Sequence, residues 1–202
     1  MKVLQLICHG YSLHNELFTK IGVKAFRIPA TIDAPLTNHG HVESIELGYH
    51  WGKKHDIELV LVSPLTRTLE TCMNIFGDTD IPIESHEFLR EYPIGVDTCN
   101  KRSSFKEIKD KYPKIDFHLS MDNDLLWKDD SRETLSELEI RIQQMIDYIQ
   151  SRKETNIAII GHSSFLGQFK DNHIGYLENG ESELKHCHPY EFILSSDYKR
   201  PE

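Results

Sequence analysis

Two histidines and one arginine stand at equivalent places in this sequence, each just past an apolar run. Val3-Leu4-Gln5-Leu6-Ile7 leads into Cys8-His9-Gly10-Tyr11-Ser12-Leu13-His14-Asn15. Leu59-Val60-Leu61-Val62 leads into Ser63-Pro64-Leu65-Thr66-Arg67-Thr68, and Ile157-Ala158-Ile159-Ile160 into Gly161-His162-Ser163-Ser164. Runs of this kind suit strands buried on both faces, and open α/β sheets bind ligands where such strands end. His9, Arg67 and His162 would then meet at one edge of a sheet. Each sits just before or within a first helical turn, where unpaired backbone N–H groups attract anions. The chemistry implied is the holding of a phosphate group between His9 and His162.

Thiol chemistry fits less well. A cysteine phosphatase needs Cys-x5-Arg, and the sixth residue after Cys8 is His14. The sixth residues after Cys72, Cys99 and Cys187 are Asp78, Phe105 and Ile193. His186-Cys187-His188 has the spacing of a metal pair on a strand, but no second cluster accompanies it, so a structural role is expected and no metal. Neither GxGxxG nor GxxxxGK[ST] is present, which removes the main support for a nucleotide-cofactor fold.

The elements that must position these groups are strands alternating with helices. Residues His188 to Ser195 form a fourth apolar run, expected nearer an edge, and Ile81-Pro82-Ile83 reads as a short edge strand because proline is tolerated there. Leu65, Leu69, Met73 and Phe76 fit one helix face, as do Leu135, Leu138, Ile142, Met145, Ile146 and Ile149. Val42, Ile45 and Trp51 mark the apolar face of another helix, starting near Thr37 or Asn38. Ser104-Phe105-Lys106-Glu107 has the form of a capping box. The alternation predicts an α/β fold: three layers, α/β/α, around a mostly parallel central sheet. Residues 1–202 read as one domain. The polar, weakly periodic stretch of about 86–132 reads as a small cap insertion that lids the site.

Composition sets outer bounds. The 202 residues include 39% hydrophobic and 27% charged residues, ordinary for a globular domain, with a formal net charge of −9. A net negative chain without a basic face argues against nucleic acid as a partner. An anionic substrate would need a local basic pocket that overrides this field. The apolar N-terminal stretch is too short for a signal-peptide core, and no stretch is long enough to span a membrane. Four cysteines without a CxxC pair suit a reducing, cytoplasmic setting. The sequence sets no oligomeric state.

Four blocks of the chain resemble the histidine phosphatase superfamily, the phosphoglycerate mutase-like fold. Cys8-His9-Gly10 with Asn15 resembles that family's opening Arg-His-Gly and its asparagine. Asp33-Ala34-Pro35-Leu36-Thr37-Asn38-His39-Gly40 is similar to the second block, Ser63 to Thr71 to the third, and Gly161-His162-Ser163 to the last. Leu89-Arg90-Glu91 with Cys99-Asn100-Lys101-Arg102-Ser103 resembles a eukaryotic-type branch of phosphoglycerate mutase-like proteins.

The resemblance implies that His9 attacks phosphorus, that Arg67 and His162 stabilise the phosphoryl oxygens, and that Glu91 is the general acid and base. Glu87 is the next candidate for that last role. The expected phosphate and substrate contacts are Asn15, Thr37, Lys101, Arg102 and Ser163, with a small phosphorylated metabolite as partner and no cofactor. The expected activity is metal-independent hydrolysis of a small phosphomonoester through a phosphohistidine. Two other readings remain: mutase-type phosphoryl transfer, and a catalytically impaired phosphate-binding scaffold.

The scaffold reading rests on Cys8, which stands where the family has a phosphate-binding arginine. Losing one charge-assisted contact removes about 1.5–3 kcal/mol. By that magnitude alone, Cys8→Arg is expected to raise activity by about ten-fold or more.

Overall fold

The computed structural model describes residues 1–119, 121–175, 184–195 and 198. Six strands form one sheet: β1 (Lys2–Cys8), β2 (Leu59–Val62), β3 (Ile83–His86), β4 (Asp116–His118), β5 (Asn156–Gly161) and β6 (Pro189–Leu194). Their order is β4-β3-β2-β5-β1-β6, all parallel except β6, which pairs antiparallel with β1 at the edge. The helices are α1 (Leu13–Ile21), α2 (Asn38–His50), α3 (Thr66–Phe76), α4 (Phe105–Lys111), α5 (Leu135–Ser151) and α6 (Ser163–Phe169).

Alternation within the central strands builds two cores. Leu4, Leu6, Leu59, Leu61, Ile157 and Ile159 face one side, where α5 contributes Leu138, Ile142, Met145, Ile146 and Ile149 and α6 contributes Phe165, Leu166 and Phe169. Ile7, Val60, Val62, Ala158 and Ile160 face the other, against Leu69, Cys72, Ile75 and Phe76 of α3 and Ile108 of α4. Burying each such side chain is worth about 1.5–3 kcal/mol, so covering both faces dominates the three-layer arrangement.

The structure departs from the sequence expectations at three elements. First, β3 is interior, and Pro82 lies before it, where its carbonyl accepts from Val60 N–H at 2.9 Å. Secondly, the edge beyond β3 is β4, which arises within the stretch read as a cap. That stretch also supplies α4, whose Ile108 enters a core, so part of it belongs to the main body. Thirdly, the buried face of α2 is Gly40, Ser44 and Gly48, while Val42 is 51% exposed and Ile45 also faces solvent. Small residues four apart let α2 approach closely. A Cβ at Gly48 would lie 3.0 Å from the Asn74 carbonyl oxygen of α3, and one at Gly40 only 2.2 Å from the Tyr11 carbonyl oxygen.

Candidate active site

β2, β5 and β1 are neighbours, and their carboxyl ends bring Ser63, His162 and His9 together. The ladder carries on past β1, where His9 N–H donates to Gly161 O at 3.1 Å. The turn that follows is clamped from α3: Gly10 N–H donates to Thr71 Oγ1 at 3.0 Å, and that hydroxyl donates to Arg67 O at 2.7 Å. Asp33 sets the start of α3, accepting from Thr66 N–H and Thr66 Oγ1–H, each at 2.8 Å, and from Ser103 N–H at 2.9 Å.

His9 is held in one tautomer. Its Nδ1 lies 2.7 Å from Gly10 O, and a carbonyl only accepts, so Nδ1 carries the proton. Nε2 is therefore the basic nitrogen, and it accepts from Arg67 Nε at 3.2 Å. The other Arg67 nitrogens donate to Cys99 O at 2.8 Å and Asn100 Oδ1 at 2.9 Å. The His162 ring meets the His9 ring edge-on at 5.3 Å. Its Nε2 lies 2.8 Å from Ser63 Oγ, while its buried Nδ1 has no partner among the described residues.

A cavity of about 410 Å³ opens onto His9 and is lined by His14, Asn15, Glu91, Ser163, Ser164 and His186, among others. Arg67 and His162 are fully buried behind His9. Glu91 Oε1 accepts from Tyr92 N–H at 2.8 Å and from Phe165 N–H, in the first turn of α6, at 3.0 Å. Burial raises the Glu91 pKa above the usual carboxylate range, against the pull of Arg67 and these N–H groups. Burial, then the Arg67 charge, holds His9 and His162 well below the ordinary histidine value, so both are neutral near pH 7. Burial also pushes the Cys8 thiol far up, away from a nucleophilic thiolate.

Of the other expected contacts, Ser163 and Asn15 line the cavity, whereas Thr37, Lys101 and Arg102 do not. Asn15 borders the cavity, but its Oδ1 accepts from Ser12 N–H at 3.1 Å. Thr37 caps α2, accepting from Gly40 N–H and donating to Tyr11 O at 2.9 Å. The Lys101 ammonium sits over the Trp127 ring at 4.5 Å.

Arg102 is buried and not in the cavity wall: its guanidinium bonds Glu87 and the carbonyls of Met121, Asp122 and Ser103. An arginine whose donors are all engaged is a brace for this loop, which corrects its reading as a substrate contact. Glu87 is tied to Arg90 and Arg102, so Glu91 is the glutamate that faces the cavity.

Two histidines were missed. His14 lies with its ring 5.9 Å from His9 and its Nδ1 2.7 Å from Ser12 Oγ. His186 lies closer, its ring 5.2 Å from that of His9. Its backbone bridges to Cys8, and Cys187 N–H donates to Cys8 O at 3.0 Å. Its Nδ1 contacts His9 O and lies 3.7 Å from Cys8 Sγ. Cys187 has φ 48°, so residues 186–188 form a turn and not the strand pair suggested by their spacing. The His14-Asn15 pairing in α1 was a local signal for the first. Nothing local marks His186, which the fold brings across from the far end of the chain.

The three-layer fold matches known structures of phosphatases. The alpha-ribazole phosphatase of Shigella flexneri superposes with a TM-score of 0.66 at 16% identity, over 97% of this chain and 92% of that one. The ecdysone phosphate phosphatase of Bombix mori, determined with tungstate, gives 0.61 at 15% identity, over 100% and 95%. At these identities the likeness shows the fold.

The profile of the histidine phosphatase superfamily (branch 1) matches residues 4–187, and the chain belongs to that family. Phosphoglycerate mutase-like protein 1 of Arabidopsis thaliana is 34% identical over 197 residues, covering 82% of this chain and 69% of the relative. No helix among the described residues is long and apolar enough to cross a membrane.

Proposed function

We propose that the protein is a phosphatase that hydrolyses a small phosphomonoester through a phosphohistidine on His9. The observation that carries this reading is the His9 ring itself: its Nδ1 is anchored on Gly10 O, its Nε2 is unprotonated, and it borders a cavity shared with Glu91.

In the first step the Nε2 lone pair attacks phosphorus as the ester P–O bond breaks. The leaving alkoxide takes the Glu91 proton, which the raised pKa keeps available. In the second step Glu91 takes a proton from water as the water oxygen attacks phosphorus, the P–N bond breaks, and phosphate and neutral His9 are released. Arg67 turns its donors from His9 Nε2 and Asn100 to the phosphoryl oxygens, and a phosphoryl oxygen gives the orphaned His162 Nδ1 a partner. In this reading these protein donors do the charge work without a metal.

His186 stands in the cavity wall beside Cys8, at the place where the family has an arginine. With Nδ1–H on His9 O its other ring nitrogen is a lone pair, so it fills the space and does not replace the arginine's charge.

A second reading, a phosphate-binding protein with poor turnover, is favoured by the missing cation and by the seal of Arg67 on the His9 lone pair. The relatives' names favour a third, phosphoryl transfer. Steady hydrolysis of an aryl phosphate in EDTA, with acid-labile phosphate trapped on His9, supports the phosphatase. Phosphate binding without turnover supports the second reading, and transfer to an added alcohol in preference to water supports the third.

A further inference from the structure

A second group of histidines lies away from this cavity, at the β3–β4 edge. Glu84 and His86 of β3 are in register with Asp116 and His118 of β4. Residues two apart on a strand share a face, and register partners on neighbouring parallel strands share it too. Two acid-x-histidine pairs thus lie side by side on one face. One donor atom each from Glu84, His86 and His118 lies within 4.8 Å of the others.

Ring packing accounts for part of this arrangement. His86 stacks between Phe88 and His118, each at 4.5 Å, and Tyr148 lies at 4.5 Å as well. Packing does not account for His86 Nε2, which is buried and without a hydrogen-bond partner among the described residues. The nearest acid oxygen, Glu84 Oε2, stands 3.5 Å away. A buried polar atom left without a partner costs about 1–3 kcal/mol.

We propose that Glu84, His86 and His118 bind a divalent transition-metal ion of the zinc class, clipping the edge strand β4 to β3. Two imidazole nitrogens and one carboxylate oxygen are a donor set that zinc accepts, whereas calcium and magnesium need oxygen shells. Two ligands on one strand and a third in register on its neighbour approach the ion from one side. The fourth position is left to water or to Asp116, whose carboxylate lies 3.3 Å from His118 Nε2.

Bonds of about 2.0–2.1 Å in a tetrahedron put ligand atoms about 3.3 Å apart. The His118 side chain is 43% exposed and closes that gap by rotation, while His86 stays packed. Tyr148 O–H donates to the Glu84 carboxylate, and Arg152 Nη2 stands 3.2 Å from Glu84 Oε1, so the ligating carboxylate is oriented by a further layer. Arg152 is shared with Glu154 at 3.1 Å, and with Asp116 the local carboxylates outnumber it.

The test is titration of chelator-stripped protein with zinc chloride, by calorimetry and by thermal melting. One equivalent is expected to bind to the parent and to His9→Ala, and none at this site in His118→Ala or His118→Gln. The parent Tm should rise by about 5–10 °C at zinc 100-fold above Kd, and the His118 variants should not respond. Cobalt in place of zinc should give absorption of a nitrogen–oxygen site without a thiolate charge-transfer band. Phosphomonoester hydrolysis by His118→Ala should equal that of the parent. Binding that survives in His118→Ala but is lost in His9→Ala places the ion in the cavity and overturns the proposal. So does a thiolate band, or the absence of any zinc binding or Tm response.

Discussion

At the scale of single residues, the proposed chemistry turns on His9 and its contacts. His9→Ala is expected to abolish turnover, while Cys8→Ser should retain most of it, because the buried Cys8 thiol stays protonated. Phosphate trapped on cysteine would overturn this assignment. Glu91→Gln should cut hydrolysis of alkyl phosphates more than that of aryl phosphates, whose leaving groups depart with little protonation. Equal losses would leave Glu91 a structural role. The pH profile carries the same signs. Lowering of the His9 pKa keeps the proposed nucleophile neutral below the usual histidine range, and raising of the Glu91 pKa extends the protonated form of the proposed acid upward. Activity should therefore persist on the acid side of pH 6.5, and its alkaline limb should flatten in Glu91→Gln. Cys8 and His186 belong together. Cys8 is fully buried with His186 beside its sulfur, so an arginine there overpacks, which typically costs about 1–3 kcal/mol. Cys8→Arg alone should lower Tm and fall short of the ten-fold gain expected from charge. Joined to His186→Ala, it should recover both Tm and kcat/KM. Additive effects in that double-mutant cycle would show that the two side chains do not share one space.

At the scale of elements, the approach of α2 to the β1–α1 turn matters most. Gly40 packs against Tyr11, two residues from His9, and a Cβ there meets the Tyr11 backbone at 2.2 Å. Backbone cannot yield as a side-chain tip can. Gly40→Ala should therefore lower Tm by several degrees and reduce kcat as well, since the displaced segment carries the Gly10 carbonyl that holds His9 Nδ1. Val42→Ala, on the exposed side of the same helix, should change stability by no more than about 0.5 kcal/mol. Equal melting of the two variants would show that the small face is not what seats α2. The 86–132 stretch is held differently. Arg90 forms a two-pronged pair with Asp124 at 2.7 Å on each arm, so the loop that carries Glu91 is tied down by buried charge.

At the scale of the whole molecule, the concentration of buried neutral histidines has a consequence for stability. His9, His14 and His162 all have folded values below that of the unfolded chain. As pH falls through about 6.5 the unfolded chain gains protons that the folded one refuses, so stability declines. Each such histidine contributes up to about 1.4 kcal/mol per pH unit below that point. Glu91 acts in the opposite sense, because its folded value is raised. Tm measured from pH 7.5 to 5.5 should fall, and the slope should be shallower in His14→Gln. A flat profile would mean that these rings take up protons in the folded state. Against the net charge of −9, the buried Arg67 beside these neutral rings is the local positive charge, so an anion must find the cavity at short range.

Local pattern in the sequence was sufficient for the two-sided apolar strands, the amphipathic α3 and α5, the capping box at Ser104, and the convergence of His9, Arg67 and His162. Each of these follows from periodicity or from the rule that ligands gather at strand ends, and neither needs knowledge of a partner. Other features depended on what lies opposite. Small residues on α2 become a packing face only when another backbone arrives, so the more apolar Val42 and Ile45 were misleading. Arg102 is attractive as a substrate contact, and Glu87 as an alternative acid, until Arg102 is seen to be spent on Glu87 and the 121–122 carbonyls, and Glu87 on Arg90 and Arg102. His186 is one histidine among twelve along the chain, and only the pairing of its turn with Cys8 sets it against His9. The paired Glu84-x-His86 and Asp116-x-His118 are likewise invisible until β3 and β4 take their register. Periodicity is written in neighbouring residues, whereas the ligands and braces of a site are chosen by contacts between distant ones, which only the closed tertiary structure creates.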